Sequence, residues 1–98
     1  MESAPGKTVP YRFTLFVVGT EANSVVAEEN LRHMCAEHLL QGTCTIAIVD
    51  ITSNYQAALD NNVLVTPTLI VEGPRGRLVI LGNLSDIDGV ILAVGCNR

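Results

Sequence analysis

The pattern of apolar positions predicts the elements in the first half of the chain. The run from Arg12 to Val18 is rich in aromatic and β-branched residues and is apolar on both faces toward its end, as in a central β-strand. After turn and N-cap residues at 20–24, apolar side chains recur at helical spacing to about Leu40 and predict a helix. Its apolar stripe consists of Ala27, Leu31, Met34, Cys35 and Leu39. Residues 44–51 predict a second buried strand, parallel to the first because a helix separates them.

The second half of the chain predicts a short helix, a hairpin and a last helix. Capping residues at 52–54 and a left-handed end at Asn61-Asn62 bound the short helix. The runs 68–72 and 77–81 flank a Gly-Pro turn and predict two antiparallel strands. Ser85-x-x-Asp88 resembles a capping box that opens the last helix.

The predicted order of elements, β-α-β-α-β-β-α, determines the fold class. Every apolar stripe is buried if helices cover both faces of a mixed four-stranded sheet, which makes a three-layer sandwich. This is the order of the thioredoxin-like α/β fold. We therefore expect one domain over residues 12–98, preceded by a flexible N-terminal arm at residues 1–11.

Pro67 stands where the third predicted strand begins, in the segment Thr66-Pro67-Thr68-Leu69. Proline lacks the amide hydrogen that a strand ladder uses, so it fits a strand entry or a sheet edge. In thioredoxin-like proteins the proline at this place is cis and lies at the mouth of the functional groove. From the element order we favour the cis isomer for Pro67, against the trans isomer that most X-Pro bonds adopt.

Composition narrows the class of protein. The chain has 98 residues, of which 48% are apolar and 4% aromatic, which predicts one domain with an aliphatic core. A net charge of −4 and six scattered basic residues argue against nucleic acid as a partner. The apolar runs fall far short of the ~20 residues of a membrane helix, and no signal peptide is visible. We therefore expect a cytoplasmic protein with no membrane partner.

The cysteines do not predict catalysis. Three are present, at positions 35, 44 and 96, without the spacing of a disulfide framework. A thioredoxin-like oxidoreductase needs a thiolate at the N-terminus of the first helix, but positions 20–24 hold no cysteine. The spacing of Cys35, His38 and Cys44 does not favour a metal site. We expect no catalytic residue, cofactor or metal, and keep a thiol oxidoreductase that uses Cys35 or Cys96 as a distant alternative.

Five motifs follow one another at consistent spacing between residues 12 and 92. They are the strand ending in Val18-Gly19, Asn23-Ser24-Val25, Val49-Asp50-Ile51, Val65-Thr66-Pro67-Thr68-Leu69 and Gly82-Asn83-Leu84-Ser85. Each is weak alone, and together they resemble the KaiB family of circadian-clock proteins. The resemblance implies a non-enzymatic regulatory protein of a bacterial clock or stress-signalling system, which binds a KaiC-type ATPase. It implies a partner-binding surface around Asn23, Ser24, Asn62 and Thr66, and leaves a homo-oligomer open.

Departures from the KaiB pattern bear on the partner and on the fold. KaiB proteins have a proline run in the hairpin turn, where this chain has Glu72-Gly73-Pro74-Arg75-Gly76, which is more similar to SasA sensor domains. Basic residues of KaiB proteins are replaced at Val26, Asn62 and Leu78-Val79, and such rim charges set association rate and partner choice. The alternative is an interaction module for a SasA-like histidine kinase. KaiB proteins switch between two folds, and the glycines of this turn favour the thioredoxin-like state.

Overall fold

A computed structural model describes residues 11–37, 44–73, 76–86 and 89. The elements follow the predicted order: β1 (Tyr11–Val17), α1 (Ala22–Glu37), β2 (Cys44–Asp50), α2 (Tyr55–Asp60), β3 (Thr68–Gly73) and β4 (Gly76–Leu81). The predicted arm lies outside the described residues, except that Tyr11 already belongs to β1. The last helix predicted from Ser85 also lies mostly outside them. Gly89 is helical, and its amide donates a hydrogen bond to Oδ1 of Asp86 at 3.1 Å.

The strands form one mixed four-stranded sheet in the order β2-β1-β3-β4. β1 pairs in parallel with β2, with Val17 opposite Asp50. It pairs antiparallel with β3, with Phe16 opposite Thr68. β3 and β4 form the predicted antiparallel hairpin, in which Thr68 lies opposite Leu81. β1 is therefore a central strand, as its apolar residues on both faces predicted.

Each face of the sheet is covered by its own helix, because side chains of a strand alternate between the faces. The larger apolar cluster lies under α1; its buried members are Phe13, Leu15, Val17, Ala27, Leu31, Met34, Cys35, Leu69, Val71 and Leu84. The smaller cluster lies under α2 and consists of Phe16, Ala58 and Ile70. Fully burying a side chain such as Leu31 contributes about 1.5–3 kcal/mol. The thioredoxin-like α/β fold is confirmed, and all described members of the predicted α1 stripe are buried.

The prediction that β2 is a buried strand is wrong. β2 is an edge strand, with β1 as its neighbour in the described sheet. Thr45 and Ala47 are exposed, while Ile46 and Ile48 are partly buried against the larger cluster. The run of isoleucine residues in β2 reflects this packing on one face, and sequence pattern alone does not distinguish it from burial on both faces.

Candidate interaction surface

The carboxyl end of β1 brings together the start of α1 and the loop that precedes β3. Phe16 lies opposite Thr68, so the end of β1 lies beside the entry to β3. β2 is parallel to β1, so both strands finish at the same end of the sheet. The residues that follow β1 and β2 therefore lie at the end of the sheet that also holds the Thr66-Pro67 turn.

Asp50 joins the turns that follow β1 and β2. Its Oδ1 accepts hydrogen bonds from the hydroxyl of Thr52 at 2.6 Å and from the Thr52 amide at 2.9 Å. Its Oδ2 accepts one from the amide of Gly19 at 3.2 Å. The hydroxyl of Thr52 and then its amide hold the pKa of Asp50 below its usual value; desolvation opposes them, and the Gly19 amide adds the weakest lowering effect. Asp50 is thus a carboxylate that braces two turns.

Ser24 supports the start of α1 from the inside. It is only 1% exposed. Its hydroxyl accepts a hydrogen bond from the amide of Val18 at 3.1 Å and donates one to Oε1 of Glu21 at 2.9 Å. The same Glu21 oxygen caps the helix by accepting from the Ser24 amide at 3.1 Å. The sequence predicts Ser24 as a partner contact, but its burial excludes direct contact in this conformation and leaves it a supporting role.

Pro67 is buried at the entry to β3, and the Thr66–Pro67 peptide bond is cis, the isomer favoured from the sequence. The carbonyl oxygen of Pro67 accepts a hydrogen bond from the amide of Gly82 at 3.0 Å. The hydroxyl of buried Thr68 donates to the carbonyl oxygen of Val65 at 2.7 Å. The first bond ties the entry to β3 to the residue after β4, and the second holds the preceding loop on the start of β3.

This loop presents aliphatic side chains to solvent. Leu64 is 92% exposed and Val65 is 51% exposed, and Thr66 beside them is half-buried. Exposed apolar groups that cluster are typical of interaction sites. Val65 belongs to one of the five motifs, but the sequence predicted neither Leu64 nor Val65 as a partner contact, because a short apolar run ahead of a strand fits burial equally well.

Asparagine side chains form a polar rim near the loop. Nδ2 of Asn83 donates to Oδ1 of exposed Asn23 at 3.3 Å, and Nδ2 of Asn30 donates to the carbonyl oxygen of Asn83 at 2.9 Å. Asn83 follows Gly82, which is bonded to Pro67, so the contacts run continuously from the start of α1 to the proline. We define the cis-proline surface as Asn23, Leu64, Val65 and Thr66.

Asn62 precedes the loop residues of this surface in the chain, two residues before Leu64. It is exposed and has φ +58°, which fits the left-handed end predicted for α2. Oδ1 of the preceding Asn61 accepts a hydrogen bond from Arg77 at 3.2 Å, and Arg77 belongs to the end of β4 far from the proline. The structure therefore brings Asn23 and Thr66 to one end of the sheet, and a side-chain bond ties the residue before Asn62 to β4.

The described residues place no thiol at the cis-proline surface. Cys35 is buried on the core face of α1, and Cys44 begins β2. Cys96 and His38 lie outside the described residues. In the described part of the chain, no group of three His, Cys, Asp or Glu side chains could hold a metal ion. No helix in that part is long and apolar enough to cross a membrane.

Comparison with known sequences gives a consistent family. The family model described as the KaiB domain matches residues 14–94. The circadian clock oscillator protein KaiB of Synechococcus elongatus is 34% identical over 91 residues, which are 93% of this chain and 86% of that protein. The protein of the same name from Microcystis aeruginosa is 33% identical over 84 residues, which are 86% of this chain and 80% of that protein.

Comparison with solved structures supports the fold. The N-terminal domain of Synechococcus elongatus SasA superposes with a TM-score of 0.71 at 22% identity, covering 94% of this chain and 88% of that one. A mutant thioredoxin from Halobacterium salinarum superposes with a TM-score of 0.70 at 15% identity, covering 90% and 75%. At these identities the likeness shows the thioredoxin-like fold and nothing about activity.

Proposed function

The chain belongs to the KaiB family, and we propose that it is a non-catalytic regulatory protein that binds a KaiC-type ATPase through the cis-proline surface. Its curated relatives are circadian clock proteins, which supports a role in a bacterial clock or a related signalling system. The proposed surface contains Asn23 and Thr66, which the sequence predicted, together with the exposed Leu64 and Val65. Ser24 is buried beneath it and supports the start of α1.

The observation that carries the proposal is the 92% exposure of Leu64 beside a loop whose backbone is held in place. Aliphatic side chains each contribute about 1.5–3 kcal/mol when they pass from water to full burial, so covering Leu64 and Val65 would favour a complex. Hydrogen bonds from Thr68 and Gly82 already fix this loop, so binding would cost little further ordering. Asn23 on the rim can both donate and accept hydrogen bonds to orient the partner.

The chemistry at this end of the sheet supports binding over catalysis. The start of α1, where a thioredoxin-like oxidoreductase needs a thiolate, holds Glu21, Asn23 and Ser24. The groups with acid–base or nucleophilic character here are engaged in the fold, because the carboxylates of Glu21 and Asp50 and the hydroxyl of Ser24 all take part in internal hydrogen bonds.

Complex formation with a KaiC-type ATPase from the same genome tests this proposal. The two purified proteins are mixed with ATP and, separately, with ADP, and the mass of the eluting species is measured by size exclusion with light scattering. We expect a complex in at least one nucleotide state. Free proteins at every concentration tested in both states would contradict the proposal.

A second candidate partner is a SasA-like histidine kinase. The hairpin favours it, because the turn that is more similar to SasA sensor domains joins a β3–β4 pair that continues as far as Gly73 opposite Gly76. The test is autophosphorylation of a histidine kinase from the same genome with and without this protein. A changed rate without any KaiC-type complex would favour the kinase, and an unchanged rate would exclude this candidate.

A further inference from the structure

The free edge of β4 differs from an ordinary solvated edge. β4 is the outer strand of the described sheet, beside β3. Leu78 and Ile80 pack against the core under α1, so Arg77, Val79 and Leu81 lie on the opposite face. Val79 is 49% exposed and Leu81 is 63% exposed. The edge therefore carries an aliphatic strip on the face that α2 covers only in part.

The hydrogen-bond pattern shows which backbone groups of β4 are available. Residues of an antiparallel ladder alternate between pairs that exchange both hydrogen bonds and pairs that exchange none. The bond from the Gly82 amide to the Pro67 carbonyl marks that pair as hydrogen-bonded. The pairs alternate from there along the strand, so Leu81, Val79 and Arg77 belong to pairs that exchange no hydrogen bond with β3. Their amide and carbonyl groups therefore point away from β3. The exposed side chains and the outward backbone groups thus belong to the same residues.

Within the described residues, β4 has few of the features that natural proteins use to prevent edge pairing. Its register with β3 is continuous from Thr68 opposite Leu81 to Gly73 opposite Gly76, so the described strand contains no bulge. It contains no proline, and Arg77 near its start is its charged residue. At the other edge of the sheet, exposed positions of β2 carry the smaller Thr45 and Ala47. A strand edge with exposed aliphatic side chains, a continuous register and one charged residue is a template for a further strand.

We propose that β4 pairs with β4 of a second copy of this chain, antiparallel and centred on Val79. In this register Val79 lies opposite the partner's Val79. Arg77 lies opposite the partner's Leu81, so the cationic groups do not face each other and the aliphatic stem of Arg77 covers the leucine. The outward backbone groups of all three positions then pair, because the two-fold axis matches each with its complement.

A second copy fits this edge better than a foreign peptide. When the two β4 strands pair in this register, the two valines face each other, the two arginines stay apart, and all outward backbone groups find partners. Two four-stranded sheets would join into one, with both α2 helices on the same face. A stable protein interface buries at least about 1,200 Å², and one added pair of strands buries less than that. Each copy also carries a net charge of −4, so the two copies repel each other. The dimer is therefore weak and depends on concentration. It is independent of the proposed binding of a KaiC-type ATPase.

Sedimentation of the full chain over a concentration series from about 10 to about 500 µM tests the pairing, since interfaces of this size are weak. We expect the mass to rise toward a dimer for the wild type, and Val79→Lys to weaken association by at least about tenfold. Ala47→Lys, a matched change on the same face at the opposite edge, should behave as the wild type. Equal association of the wild type and Val79→Lys, or a monomer throughout, would overturn the proposal.

A cross-link tests the register itself. The two Cα atoms of a hydrogen-bonded antiparallel pair lie about 5.5 Å apart, within the range that a disulfide spans. Val79→Cys should therefore form a covalent dimer on mild oxidation, while Ala47→Cys and the wild type, which controls for the native cysteines, should not. Cross-linking of all three proteins to the same extent would contradict the register.

Discussion

The hydroxyl of Ser24 accepts a hydrogen bond from the amide of Val18 at 3.1 Å, where β1 turns into α1. In a thioredoxin-like oxidoreductase the start of this helix holds the reactive thiolate. Here the side chain at this place is buried and joins the turn to the helix. Hydrogen bonds therefore fix the backbone at this end of the sheet, and the side chains exposed to a partner there are those of the cis-proline surface.

Replacement of Ser24 tests this supporting role. Ser24→Ala removes the acceptor of the part-buried Val18 amide and the hydroxyl that donates to Glu21, so we expect the free energy of unfolding to fall by about 1–3 kcal/mol. Thr20→Ala removes an exposed hydroxyl in the neighbouring turn and should change it by no more than about 0.5 kcal/mol. Urea unfolding followed by circular dichroism measures both. A Ser24→Ala protein as stable as Thr20→Ala would show that the two bonds contribute nothing.

The pH dependence of stability depends in part on Asp50. Its pKa is lowered in the fold, chiefly by the hydroxyl of Thr52, so its contribution is present above the unfolded-state pKa of about 3.9 and is lost as the pH falls through the folded value. Thr52→Val should raise the pKa of Asp50 in an NMR titration of its carboxyl carbon. It should also lower stability near neutral pH, with the difference from wild type vanishing in strong acid.

Thr20→Val is the matched control for Thr52→Val, since Thr20 is an exposed threonine in the neighbouring turn. It should leave the Asp50 titration unchanged. A Thr52→Val protein whose Asp50 titrates as in wild type would show that the hydroxyl has no such effect.

Two substitutions at Asn62 distinguish a role in the backbone conformation from a role in partner binding. Its φ of +58° suits glycine and is unfavourable for alanine. We expect Asn62→Gly to be about as stable as wild type, and Asn62→Ala to be less stable by about 1–2 kcal/mol in thermal or urea unfolding. We assign Asn62 a backbone role and leave it out of the cis-proline surface, so Asn62→Gly should keep the affinity for a KaiC-type ATPase. Weaker binding by this stable variant would show that the Asn62 side chain contacts the partner.

The end of the β3–β4 hairpin depends on a close approach to Tyr11. A Cβ atom on Gly73 would lie 2.7 Å from Cδ1 and Cε1 of the Tyr11 ring. Gly73→Ala should therefore lower the free energy of unfolding by about 1–3 kcal/mol, as overpacking does. In a Tyr11→Ala background the same change should cost less, because the ring is gone. Additive losses in the double variant would contradict this explanation.

Local periodicity predicted much of the fold, and sequence-distant contacts account for the rest. The α1 stripe follows from helical spacing, so Ala27, Leu31 and Met34 were predicted as core residues and are buried. The edge position of β2 depends on the strand order, which no local pattern contains. The burial of Ser24 depends on the Val18 amide across a turn, and the exposure of Leu64 depends on how the loop before Pro67 is held. The candidate surface was therefore predicted in part.

The affinity of a KaiC-type ATPase for two serine variants tests the central claim most directly. Leu64→Ser truncates a leucine of the cis-proline surface that is 92% exposed, and Val79→Ser truncates a half-exposed valine of β4 that is not part of that surface. Circular dichroism first confirms that both variants are folded, and calorimetry then gives their dissociation constants. We predict at least about tenfold weaker binding for Leu64→Ser, which is about 1.4 kcal/mol, and no more than about a twofold change for Val79→Ser. Equal affinities of a folded Leu64→Ser protein and the wild type would contradict the account.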